Sequence, residues 1–66
     1  MAMRNDLDTI GVLVSEYGFS LRAARLAVRQ ARAIGMSTFS CGGGRMVTVI
    51  SRERPHGVVT FGIKET

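Results

Sequence analysis

Leu7, Ile10, Val14 and Tyr17 recur at i, i+3, i+7 and i+10, a spacing that puts these apolar side chains on one face of a helix. The pattern predicts a first helix over residues 6–17. Asn5 or Asp6 supplies its N-cap, and Asp6 and Asp8 suit the positive end of its dipole. Val12 and Leu13 add apolar surface beside the stripe. Gly11 costs about 1 kcal/mol relative to Ala and is expected to permit close approach to a second helix. Gly18 ends the helix, and Phe19 is expected to plug the corner. The connection Gly18-Phe19-Ser20 is short, so the two helices are neighbours in space.

The next stretch, Ser20–Gly35, has the clearest periodicity in the chain. Ser20 is a good N-cap and Gly35 stands where a left-handed C-cap belongs. Strong helix formers fill the interval, predicting a helix over residues 20–34. Arg22, Arg25, Arg29 and Arg32 fall within roughly 80° of one another around that helix and form one stripe. Ala23, Ala24, Ala27, Ala31 and Ile34 take the opposite side, where small residues let another element approach closely. Leu21 and Val28 border that face.

After Gly35 the period changes from helical to alternating. Residues 37–41 read as a short strand, and Gly42-Gly43-Gly44 as a turn. Residues 46–51 read as a second strand rich in β-branched residues. Arg52 to Gly57, with Pro55 and Gly57, reads as a hairpin loop, residues 58–63 as a third strand, and Lys64-Glu65-Thr66 as a polar tail. The expected fold is α+β: two N-terminal helices packed on a three-stranded antiparallel meander, ααβββ. Phe39, Cys41, Val47, Val49, Val59, Phe61 and Ile63 would share the covered face. Thr38, Ser40, Met46, Thr48, Ile50, Val58 and Thr60 would line the other, unless a slip of one residue exchanges the two. On that outer face Met46, Ile50 and Val58 form a candidate association surface, including for a homodimer.

Composition narrows the picture. Sixty-six residues make one small domain with a limited core. Nine Lys and Arg against five Asp and Glu give a net charge of +4, and every cation but Lys64 is an Arg. No Asp or Glu lies between Tyr17 and Arg52 to relieve the Arg stripe. Such a balance suits nucleic acid or an acidic protein surface. A lone cysteine excludes an internal disulfide and suits a reducing cytoplasm. No apolar run is long enough to span a membrane, and the first residues lack the apolar core of a secretory signal.

Catalytic chemistry is poorly provided for. His56 is the only His and Cys41 the only Cys, with no carboxylate placed to orient the imidazole. A zinc site wants three or four Cys or His ligands, and no cofactor or metal is expected. Gly42-Gly43-Gly44 before Arg45 feeds a strand, whereas a phosphate loop feeds a helix. The residues left as candidates are cations: Arg22, Arg25, Arg29 and Arg32, joined by Arg45, Arg52 and Arg54.

Val14, Gly18 and Ala24 stand at spacings where the helix pair resembles helix-turn-helix modules. That resemblance implies Arg22 and Arg25 on the exposed side of a recognition helix and the hairpin Arg45–Ile63 as a wing. The chain departs from the pattern in having Val14 for the usual Ala and no third supporting helix. Tyr17-Gly18-Phe19 before an Ala-rich helix is also similar to the Gly-Phe corner of ubiquitin-associated domains, which are three-helix bundles without strands. The expectation is a non-catalytic binding protein. One reading is a small stoichiometric inhibitor or adaptor of phage or mobile-element type, anti-CRISPR-like, with a protein or nucleoprotein partner. The other is a DNA- or RNA-binding regulator using the Arg-rich helix.

Overall fold

A computed structural model describes residues 3–65; Met1, Ala2 and Thr66, the last residue of the expected tail, lie outside them. Helix α1 (Asp6–Tyr17) is followed by α2 (Leu21–Ile34), then by strands β1 (Met36–Ser40), β2 (Met46–Glu53) and β3 (Val59–Glu65). The strands form one antiparallel sheet in the order β1-β2-β3, so the chain is the ααβββ arrangement its periodicities predict. Both helices are capped as their sequences require. The Asn5 side chain accepts from the Asp8 amide and the Ser20 side chain from the Ala23 amide, while Gly18 and Gly35 end the helices in left-handed geometry.

The register aligns Ser37 with Val49 and Val49 with Ile63, and Ser51 with Phe61. Odd-numbered strand residues therefore share the face beneath the helices. Val47, Val49 and Phe61 are fully buried there, with Phe39, Cys41, Val59 and Ile63 packed at the margin. From α2 come Ala24, Ala27, Val28 and Ala31, from α1 Leu13, and from the corner Phe19, whose ring meets Phe39 at 6.0 Å. The small face of α2 lets the helix sit close to the sheet. Ser37 in β1 donates its hydroxyl to the Ala27 carbonyl oxygen at 2.7 Å, and Ser51 in β2 donates to that of Ala31 at 2.6 Å. Thus α2 lies over β1 and β2, and α1 lies nearer β3.

Several expectations need correction. The buried face of α1 is rotated: Thr9 and Leu13 are fully buried, Leu7 is 78% exposed and Val14 is also exposed. Thr9 can occupy the core because its hydroxyl is satisfied by the Asn5 carbonyl at 2.7 Å. Gly11 is not a point of close approach, since a Cβ there would meet nothing within 4 Å. Ile34 is 76% exposed, although it shares the bearing of Ala27 around the helix; it is the last residue of α2. β2 runs on to Glu53, and β3 includes Lys64 and Glu65, so most of the expected tail is strand. The loop between them tightens into a 3-10 turn at Pro55–Gly57, with His56 at φ 70°.

The outer strand edges differ. Beside β3, Arg4 and Phe61 exchange backbone hydrogen bonds of 2.8 and 2.7 Å, so Arg4 caps the middle of that edge. No described residue pairs with the free side of β1.

Candidate interaction site

The seven candidate arginines fall into distinct groups. Arg22, Arg25 and Arg29 are exposed on the side of α2 away from the sheet. Among the described residues none of the three has a hydrogen-bond or ion-pair partner. Leu21 and Leu26, 50% and 43% exposed, are interleaved with them. Together these five residues line a shallow depression of about 640 Å³. Three unpaired guanidinium forks around two apolar side chains can take carboxylates or phosphates at the rim while the leucines lose water.

Arg32 belongs to the same stripe by spacing but is engaged within the fold. Its guanidinium meets the Asp6 carboxylate at 3.0 Å and lies 5.4 Å from the centre of the Phe61 ring. It joins α2 to the start of α1 and to β3. Arg45 is likewise held, 3.0 Å from the Glu65 carboxylate across the sheet. Arg54 donates through Nε to the Thr60 hydroxyl at 3.3 Å. Arg52 is exposed and, with Met3, Ile50 and Arg54, lines a second depression of about 290 Å³.

The outer sheet face does not form one patch from Met46 to Val58. Met46 lies opposite Ser40 at one end, while Ile50 lies between Met36 and Gly62 nearer the other. Between them Thr38 and Thr48 share a hydroxyl hydrogen bond of 3.0 Å, beside Lys64. Val58 is exposed but precedes β3. Sequence reasoning missed Met3 and Met36 beside Ile50. Met36 was legible as one more even-numbered position before the expected strand; Met3 arrives through the Arg4–Phe61 pairing, which local periodicity does not encode.

Cys41 and His56 lie beyond opposite ends of β2, roughly 30 Å apart along the strand, so they do not form a nucleophile–base pair. Among the described residues no group of three or more His, Cys, Asp or Glu is placed to hold a metal ion. No described helix is long and apolar enough to cross a membrane. Comparison with protein-family models, curated proteins and solved structures finds no match for the chain.

Proposed function

We propose that this chain is a non-catalytic binding protein: a small stoichiometric inhibitor or adaptor, of the phage or mobile-element type to which anti-CRISPR proteins belong. It would occlude an acidic surface on a protein or nucleoprotein partner. The observation that carries the reading is the outer face of α2, where Arg22, Arg25 and Arg29 stand unpaired around exposed Leu21 and Leu26. Arg is enriched at protein interfaces, and apolar side chains at their centre exclude water from the surrounding charge pairs. A phosphate backbone would use the cations but has little use for the leucines. The free thiol of Cys41 suits a reducing compartment such as the cytoplasm.

The second reading is a DNA- or RNA-binding regulator, favoured by the same three guanidiniums projecting from one exposed helix. A pull-down from host lysate, with and without nuclease, separates the two. Capture of an acidic protein that survives nuclease supports the inhibitor or adaptor. Loss of all capture on nuclease treatment, with tight binding of purified duplex at physiological salt, overturns it in favour of the regulator.

A further inference from the structure

The free side of β1 has a defined hydrogen-bonding register. Ser51 donates its amide to the Gly35 carbonyl at one end of the β1–β2 ladder, and Cys41 donates to Arg45 at the other. Antiparallel ladders alternate bonded and non-bonded pairs, so Ser37 and Phe39 face β2 with their backbone groups. Met36, Thr38 and Ser40 therefore point their N–H and C=O groups away from it, and no described residue meets those groups. The strand carries none of the devices that blunt an edge: no Lys, no Pro and no inward charge.

We infer that β1 pairs with β1 of a second copy about a two-fold axis through Thr38, joining the two sheets into one of six strands. In that register Thr38 faces Thr38 of the partner subunit, and Met36 and Ser40 face each other's counterparts. Every outward group of Met36, Thr38 and Ser40 is then used, in about six backbone hydrogen bonds. Even-numbered residues stay on the outer face of both sheets, so the helices of both copies lie on the same side.

The helix layer fits the same operation. The two serine bonds place α2 over the β1–β2 pair, about one strand spacing from the new axis. Two copies of α2 would then run antiparallel beside the axis, near the separation of about 8–10 Å at which helices pack. The flank of α2 turned to its copy carries Ala23, Gln30 and Ile34, and Ile34 is largely exposed in the monomer. Around the helix this flank lies roughly 100° or more from Arg22, Arg25, Arg29 and Arg32. A chain of net charge +4 repels its copies, and from Met36 to Gly44 it has no charged residue. A second copy is thus favoured here over an acidic partner, which the Arg face would attract.

The test combines sedimentation equilibrium at micromolar concentration with residue-resolved amide exchange. The expected result is a dimer in which the Met36, Thr38 and Ser40 amides are protected and lose protection on dilution. Ile34→Arg, at an exposed position where the monomer fold is not at risk, should weaken the dimer about tenfold or more. Thr38→Pro removes an outward-facing N–H, together with the exposed hydroxyl bond to Thr48 on the outer face, and should also yield monomer with the strand content retained in circular dichroism. A monomer with those three amides unprotected overturns the inference. So does a dimer in which they exchange freely and which Ile34→Arg leaves intact, or protection that appears only when a different protein is added.

Discussion

The Ser37 hydroxyl donates to the carbonyl oxygen of Ala27 at 2.7 Å, tying the edge strand to the middle of α2 inside the core. The bond forms because Ala27 brings no bulk between helix and strand. Ala27→Leu should force α2 away from β1 and cost about 1–3 kcal/mol. Ser37→Ala should cost about 1 kcal/mol. Chemical denaturation of both variants checks the pair; an Ala27→Leu protein as stable as the parent would mean that α2 does not rest on this face.

Gly11 occupies the middle of α1, exposed and with nothing near its missing side chain. Gly11→Ala should therefore stabilise the protein by about 0.5–1 kcal/mol. For a chain of this size that corresponds to a rise of several degrees in Tm, read by thermal melting. An unchanged or lower Tm would require a contact at Gly11 that the fold does not contain.

The arginines of α2 should separate by effect. Arg25→Ala and Arg29→Ala should leave melting unchanged and weaken partner binding, more so at low salt. Arg32→Ala should instead lower stability by up to about 1 kcal/mol, because it loses an exposed ion pair to Asp6 and the stack on Phe61. If nucleic acid is the direct partner, Arg25→Ala and Arg29→Ala should each lower the log–log salt slope by about 0.9. A protein partner gives no such duplex slope to lower.

His56 holds φ at 70° in the turn between β2 and β3, the only described non-glycine residue at positive φ. His56→Val should cost about 1–2 kcal/mol, since a β-branched side chain resists that backbone region. His56→Gly should be neutral or mildly stabilising. Parallel denaturation curves distinguish this backbone effect from loss of the imidazole, which would penalise both variants alike.

The elements were legible because the period changes once, after Gly35, and because caps mark both helix ends. Alternation sorted the strand residues into two faces, but a one-residue slip would have exchanged them, and the cross-strand register decides which face the helices cover. The face of α1 was misread because Thr9 counts as polar until its hydroxyl is seen to bond one turn back to Asn5. Arg32 resembled its neighbours in the stripe because its partners, Asp6 and Phe61, are distant in sequence. The division of the outer apolar residues depends on cross-strand register. Which strand edge stays open depends on where residues 3–5 return to the sheet. Neither is written in any local pattern.

The Arg4–Phe61 pairing sets the valence of the sheet as a polymer unit. A strand sheet open on both sides is a difunctional monomer, and difunctional monomers grow into chains. By pairing with Phe61 in the middle of β3, Arg4 blocks the uninterrupted ladder a further copy would need on that side, so a copy joined through β1 as proposed would be hindered from growing further. Removing residues 1–4 would restore the second functionality, and the truncated protein should form fibrils that bind thioflavin T where the full chain stays in solution. Arg4 is in this sense the chain's terminator.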